Sequence, residues 1–273
     1  MRKFCTVHTH SVLCDGKDTL AEMARAAFEA GAVSFGASGH SRTEVPWDQG
    51  CTLPEDLTDY RAELLRLREE YAGKMDVLLG IEQDSLSPQP VPEWADYWIG
   101  SVHNLRRPGG FASVDFSPEK LEEDCRTHFA GDFLAMAEAY FGDVAAMAAR
   151  KPTILGHIDL ITKFNEDGGF LDETVPRYRA AALGALHAAD PEATLLEVNT
   201  GAMSRGYRSI PYPAVFLLEE WRRMGGRIIL TADAHSAGTV AYGYHRAAEL
   251  ARAAGFDRSA LLIFGGTVEY PLE

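Results

Sequence analysis

His8–Gly16 reads HTHSVLCDG and follows the apolar run Phe4–Val7. On an extended chain, residues two apart point to the same side, so His8 and His10 present two imidazoles together. Asp15 follows in the turn Leu13-Cys14-Asp15-Gly16. Taken alone, an HxH is a weak signal and an Asp-Gly pair is an ordinary turn. The rest of the chain repeats the arrangement. Gly39-His40 follows the run Val33–Ala37, Glu82 follows Asp76–Ile81, His103 follows Tyr97–Val102, and His157 follows Thr153–Gly156. Asp233-Ala234-His235 comes after Arg227–Thr231 with the same i, i+2 spacing. Two further runs, Thr194–Val198 and Leu261–Phe264, make eight strand candidates. Parallel strands that converge on one end of a barrel gather sequence-distant residues into one pocket. Six of the nine histidines lie at such ends, whereas histidines placed for packing would fall on helix faces as often.

Helical stretches separate most of these runs. Thr19–Ala30 begins at a Thr cap with Glu22 three residues on and ends at Gly31. Leu53–Tyr71, Tyr178–Ala189 and Ala214–Met224 follow. Regular βα alternation reads as a parallel sheet with right-handed crossovers, and 273 residues suit one closed α/β barrel in a single domain. The stretch 104–152 breaks the rhythm. Pro108-Gly109-Gly110 opens a loop, and Pro118–His128 and Phe133–Ala149 read as two helices. Such an excursion at the functional end of a barrel is a candidate lid or substrate wall; the alternative is a decorated crossover.

Composition narrows the function. The net charge is −14, which repels a phosphate backbone and argues against nucleic acid as a partner. No run of eighteen apolar residues predicts a membrane span. The first residues, MRKFCTVHTH, have no apolar h-region, so no signal peptide is expected. Cys5, Cys14, Cys51 and Cys125 lack CxxC spacing and suit reduced thiols in a cytoplasmic protein. Cys14, near the HxH, is either a ligand or a small apolar filler; free cysteine usually fills.

Nine donors can be named: His8, His10, Asp15, His40, Glu82, His103, His157, Asp233 and His235. One zinc needs three or four protein ligands, so the set implies more than one ion. Mixed imidazole and carboxylate ligation suits Zn, Mn or Fe, where calcium would want oxygen alone. Glu82 ends an apolar strand, where an unpaired carboxylate is expensive, and its two oxygens can bridge two ions. Neighbouring ions lower the pKa of a shared water and clamp an in-line displacement, which is the physics of phosphoester hydrolysis. A phosphate also needs cations, and Arg205, Arg208 and Lys163 lie after late strands at the right end. Arg106 and Arg107 read as flanking the long loop. His128, His187 and His245 read as helix or loop residues outside the ligand set.

The strings HTHSVLCDG, SGHS, GIEQDS, WIGSVHNL, GHIDL and LTADAHS, in this order, resemble the polymerase-and-histidinol-phosphatase (PHP) superfamily over nearly the whole chain. SVHNL, GHIDLITKF, LEVNTGAM and PYP resemble its histidinol-phosphatase branch. The resemblance implies a distorted TIM-like barrel of seven βα units. It implies one metal on His8, His10, Glu82 and Asp233, a second on Glu82, His103 and His157, and a third on Asp15, His40 and His235. The family often has histidine where Asp15 stands. An arginine soon after an NT segment is common in the branch, and Arg205 and Arg208 compete for that place in NTGAMSRGYRS.

The function expected is hydrolysis of L-histidinol phosphate, a step of histidine biosynthesis, with Glu82, Asp233 and His235 at the centre of the chemistry. A nucleotide or sugar phosphate is the alternative substrate. Histidinol carries an amine and an imidazole, so a pocket acid such as Asp84 or Asp159 would favour it. A nucleic-acid accessory module fits poorly with the acidic surface, and a non-catalytic scaffold fits poorly with a complete donor set.

Overall fold

All eight apolar runs form strands of one curled sheet in the computed structural model, which describes residues 3–272. The strands are β1 (Cys5–Thr6), β2 (Ser34–Ala37), β3 (Asp76–Asp84), β4 (Tyr97–Ser101), β5 (Asn104–Arg107), β6 (Gly110–Ser113), β7 (Ile154–Leu155), β8 (Leu195–Asn199), β9 (Arg227–Thr231), β10 (Arg258–Ile263) and β11 (Gly266–Pro271). The helices are α1 (Leu20–Glu29), α2 (Thr58–Glu70), α3 (Pro118–Phe129), α4 (Phe133–Ala148), α5 (Pro176–His187), α6 (Gly201–Ser204), α7 (Val215–Arg223) and α8 (Tyr244–Ala253).

Seven strands pair in parallel in the order β1-β2-β3-β4-β7-β8-β9. The ring closes at its C-terminal mouth through a parallel bridge between Thr9 and Ala234. His10 N donates to Ala234 O at 2.9 Å and Ala234 N donates to His8 O at 3.0 Å. The eighth run, β10, touches β9 at Ala260 opposite Ile229 and then folds back on β11 as an antiparallel hairpin. It is a C-terminal edge, so the barrel is one of seven strands. The alternation is broken once more after β3. Ser87-Pro88-Gln89-Pro90-Val91-Pro92 lies in that connection, and its prolines lack the donors a helix interior needs.

Inward and outward residues alternate with the strand period. Leu78, Tyr97, Ile99, Ile154, Leu195 and Ile229 meet inside the barrel. Their neighbours Val77, Leu79, Leu196, Val198 and Ile228 pack outward in the other apolar clusters. The Tyr97 ring needs bare backbone beside it: a Cβ on Gly80 would stand 2.2 Å from its Cζ. Its hydroxyl donates to Val7 O at 2.5 Å, tying β4 across the interior to the first strand. Above this apolar floor, the same inward register brings Glu82 and Asp84 on β3, Glu197 on β8 and Asp233 after β9 to the mouth.

The capping box expected at Thr19 is formed: Glu22 N donates to Thr19 Oγ1 and Thr19 N to Glu22 Oε2. Helix α2 starts at Thr58, five residues later than the apolar pattern suggested. The stretch opening with Pro108-Gly109 is a tight β5–β6 hairpin, with Gly109 at φ +84°. Gly serves this left-handed position without a Cβ penalty. Most of the excursion then covers the outside. Met136, Tyr140, Phe141, Val144 and Met147 of α4 are buried in the main core, and only the segment just after β6 reaches the mouth. No helix of the described residues is long and apolar enough to cross a membrane.

Candidate metal centre

Every one of the nine donors comes to the C-terminal mouth. His8, His10, Glu82 and His157 are buried, as is Asp233, while His40, His103 and His235 are partly covered and Asp15 lies at the rim. Glu82 is the hub. Its Oε2 stands 3.2 Å from His8 Nε2, 3.4 Å from His10 Nε2 and 3.0 Å from His40 Nδ1. Its Oε1 stands 3.0 Å from His157 Nε2 and 3.3 Å from His103 Nε2. One oxygen therefore serves each flank. His10 Nε2 is also 3.3 Å from Asp233 Oδ1, and Asp15 Oδ2 is 3.1 Å from His235 Nε2 and 3.6 Å from His40 Nε2.

The local backbone serves this convergence. Asp233 has φ +46°, a left-handed conformation rare for a non-glycine residue. Such strain persists where surrounding contacts hold it, and often marks a functional site. Gly201 gives Asp233 its room, since a Cβ there would stand 2.5 Å from Asp233 Oδ2.

The donors fit divalent transition metals. Ligand atoms group as His10, Asp15, His40 and His235; as His8, His10 and Asp233; as His8, Glu82 and His157; and as His40, Glu82 and His103. Two ligands at the ~2.0–2.1 Å zinc–nitrogen distance in tetrahedral array are about 3.3 Å apart, close to the separations around Glu82. Buried His8 Nε2, His10 Nε2 and Glu82 Oε2 have no hydrogen-bond partner. Leaving such atoms orphaned is costly, and a cation satisfies all three.

Without an ion, carboxylates and imidazoles neutralise each other. Burial alone would raise the Glu82 pKa, but His40, His8 and His103 outweigh it and hold the carboxyl well below its usual range. Arg205 and His8 do the same for Asp233. Burial opposes a proton on His8, yet Glu197, Glu82 and Asp233 raise its pKa well above normal. Burial likewise opposes one on His103, while Glu82 and Asp84 push it up to about 10. His10 goes the other way, to about 3, through burial and its neighbours His235 and His40.

Glu197 was not among the residues singled out from sequence. It is fully buried on β8. Its Oε1 accepts from His8 Nδ1 at 2.5 Å and from Thr231 Oγ1 at 2.8 Å. Its Oε2 accepts from His157 N at 2.7 Å and Asn199 Nδ2 at 3.0 Å. The carboxylate thereby sets the His8 proton on Nδ1 and leaves Nε2 free to face the centre. The available signal was parity: in Leu195-Leu196-Glu197, the glutamate shares a face with Leu195 inside the barrel.

Of the pocket acids considered from sequence, Asp84 is engaged at both oxygens, whereas Asp159 keeps Oδ1 buried without a partner. Asp84 Oδ2 accepts from His103 N at 3.2 Å and from its Nδ1 at 2.9 Å, while Oδ1 accepts from Leu86 N at 2.7 Å. Asp159 is buried; desolvation pushes its pKa up to about 6 against the pull of Arg208, and Oδ2 accepts from Ala214 N at 2.8 Å. The cations divide. Arg205, at the end of α6, donates to Asp233 Oδ2 at 3.1 Å and lies 3.0 Å from His235 Nδ1. Lys163 lines a cavity with His40 and His103 and donates to Asp115 O at 2.7 Å. Arg208 is spent on Thr162, whose O and Oγ1 both accept at 2.7 Å. Arg106 pairs with Glu44 at the surface and His187 with Glu220. Cys14 Sγ is buried 3.7 Å from His10 Nδ1, on the ring edge away from Glu82.

Known proteins share this architecture. A Deinococcus radiodurans protein named as a probable histidinol-phosphatase is 31% identical, with 93% of this chain and 95% of the relative covered. The histidinol-phosphatase of Bacillus subtilis is 25% identical over 87% of this chain and 95% of its own. The crystal structure of histidinol phosphate phosphatase from Lactococcus lactis, complexed with zinc, L-histidinol and phosphate, superposes with a TM-score of 0.64 at 20% identity, covering 97% of this chain and 98% of the other. The PHP domain family profile matches residues 5–201, and with that match across most of the nine-donor barrel the chain belongs to the PHP domain family.

Proposed function

We propose that this protein is a metal-dependent phosphomonoesterase that hydrolyses L-histidinol phosphate to L-histidinol and inorganic phosphate. The observation that carries the reading is the cluster of nine donors centred on Glu82, with buried ligand atoms that have no hydrogen-bond partner and that a cation would satisfy. The names of the relatives, and the zinc, histidinol and phosphate held by the Lactococcus lactis enzyme, support the substrate.

Three divalent ions, zinc, manganese or iron, would be held here. His8, His10, Glu82 and Asp233 would take one, Glu82, His103 and His157 a second, and Asp15, His40 and His235 a third. When bound, such ions act as Lewis acids on phosphoryl oxygens and lower the pKa of water. The chain's own groups supply the rest. Glu82 offers one oxygen to each flank and so sets the spacing of the whole centre. Arg205 holds the Asp233 carboxylate and brings a positive charge to the phosphoryl position, where it gains value as charge grows. Lys163 places a second cation beside His103. Glu197 and Asp84 fix the rings of His8 and His103. Arg208, engaged with Thr162, shapes the loop rather than meeting phosphate.

Phosphate release from L-histidinol phosphate, measured against sugar phosphates, nucleotides and simple alkyl phosphates with zinc or manganese supplied, tests the proposal. Preference for L-histidinol phosphate by tenfold or more in kcat/KM is expected, roughly 1.4 kcal/mol of discrimination. Faster turnover of a nucleotide or sugar phosphate would move the protein to another substrate.

A further inference from the structure

A cavity of about 200 Å³ opens beside His40 and His103. Its walls draw on several segments: besides Asp15, held by His235, and Asp84, held by His103, two stretches outside the donor set line it. The short turn Pro46–Asp48 after β2 contributes Trp47 and Asp48, and the segment after β6 contributes Asp115 and Phe116. Lys163 stands at the same cavity.

The charges on these walls are not equivalent. Asp115 is matched by Lys163, whose Nζ lies 3.3 Å from Asp115 Oδ2. Asp48 has neutral partners only among the described residues. Its Oδ2 accepts from Thr43 Oγ1 at 2.6 Å and from Asn104 Nδ2 at 3.2 Å, and no lysine, arginine or histidine pairs with it. A half-buried carboxylate without a cation is poorly compensated, and a bound ammonium would complete it. The aromatic rings differ too. Trp47 is fixed by Nε1 donating to Asn104 Oδ1 at 2.9 Å, and Lys120 Nζ already lies 4.5 Å from its ring centroid. Phe116 is 59% exposed. It is the most exposed of the aromatic rings lining this cavity.

We propose that this cavity seats the leaving-group end of the substrate, with Asp48 pairing its ammonium group and Phe116 covering its imidazole. The inference rests on the phosphatase reading above and adds the selectivity that reading leaves open. It also gives the start of the 104–152 excursion a role as a substrate wall. A phosphorylated amino alcohol with a heteroaromatic ring matches the site at both ends: its phosphate meets the donor cluster with Arg205 and Lys163, and its cationic end meets Asp48. A sugar phosphate would leave Asp48 uncompensated.

The test uses the metal-loaded full chain and three esters: L-histidinol phosphate, its des-amino analogue imidazolylpropyl phosphate, and O-phosphoethanolamine. For Asp48→Asn, kcat/KM on L-histidinol phosphate should fall about 10–100-fold, mainly through KM, the scale of one lost charged hydrogen bond. On the des-amino analogue the loss should be smaller by that factor. For Phe116→Ala, a surface change with little call on folding, kcat/KM should fall about two- to tenfold on the two imidazole esters and stay level on O-phosphoethanolamine. Equal losses of Asp48→Asn on L-histidinol phosphate and its des-amino analogue would overturn the assignment, since a merely structural role predicts that. So would no loss on either. A wild-type protein that ignores L-histidinol phosphate but cleaves other phosphate esters would overturn the substrate named under the proposed function, and that result is seen before any variant is made.

Discussion

Replacing Glu197 by Gln tests how the centre is built, because the two side chains have the same shape and differ by a charge and a hydrogen-bond pattern. The carboxylate accepts four hydrogen bonds, two at each oxygen. An amide must turn its NH2 towards one pair. Facing His157 N and Asn199 Nδ2, it would set donor against donor at both contacts. Facing Thr231 and His8, it meets a hydroxyl that can rotate and a ring that can change tautomer. The second arrangement wins, and its consequence is specific. His8 must then accept at Nδ1, which moves its proton to Nε2, the atom 3.2 Å from Glu82 Oε2. A protonated Nε2 is no metal ligand until the tautomer is restored. The charged hydrogen bond to His8 is worth about 1.5–3 kcal/mol, and removing a carboxylate behind a ligating histidine weakens metal binding roughly 10–100-fold. We expect a metal dissociation constant raised by that factor, with kcat largely recovered at saturating metal. Competition with a chromogenic chelator measures the first quantity and phosphate release against added zinc the second. A folded Glu197→Gln protein that binds metal as tightly as the wild type would refute the reasoning.

Other substitutions separate the remaining roles. Glu82→Gln should abolish most activity while circular dichroism shows an intact fold, because a neutral amide cannot bridge two ions. Arg205→Ala should lower kcat/KM by roughly 10²-fold at saturating metal, and Arg208→Ala much less; the reverse order would assign the phosphate to Arg208. The metal-stripped protein should lose thermal stability as pH rises. The His103 pKa is lifted from 6.5 to about 10 in the folded state, so its contribution is complete below 6.5 and lost on the way to 10; those of His8 and His40 are also raised, so theirs is lost in the same direction as pH rises. Glu82 and Asp233 have depressed values, so their contribution disappears as pH falls below about 4. Calorimetry of stripped protein across this range checks both signs, and a Tm that climbs from pH 6.5 to 10 would contradict them. Added zinc should raise Tm more at pH 8 than at pH 6, since ligands must shed protons to bind it.

Much of this centre was readable from strand ends because a barrel converts that one-dimensional position into a shared mouth. His40, His103 and His157 needed no more than an apolar run before them. Glu82 was readable for a second reason, since no apolar strand carries a carboxylate without compensation. Glu197 met the same criterion but hid inside Leu195–Asn199, where its inward register depends on how β8 lies in the sheet. The eighth apolar run matched the strand pattern equally well; its antiparallel partner β11 is set by the turn at Gly265-Gly266 and not by β10 itself. The hairpin at Asn104–Ser113 was read as loop because Arg106, Arg107 and Pro108 interrupt any apolar alternation. The partners of Arg205 and Arg208 lay beyond sequence altogether. Both arginines sit within four residues of each other, and only the short helix α6 turns the first towards Asp233 and leaves the second at Thr162.

The account depends most on the claim that nine side chains serve several ions at one mouth. Anomalous scattering from crystals of the fully loaded protein, recorded at the absorption edge of the supplied metal, addresses it directly. Three peaks are predicted: one among His8, His10, Glu82 and Asp233, one among Glu82, His103 and His157, and one among Asp15, His40 and His235. A single peak from a saturated crystal, with the remaining donors paired only to one another, would contradict the account.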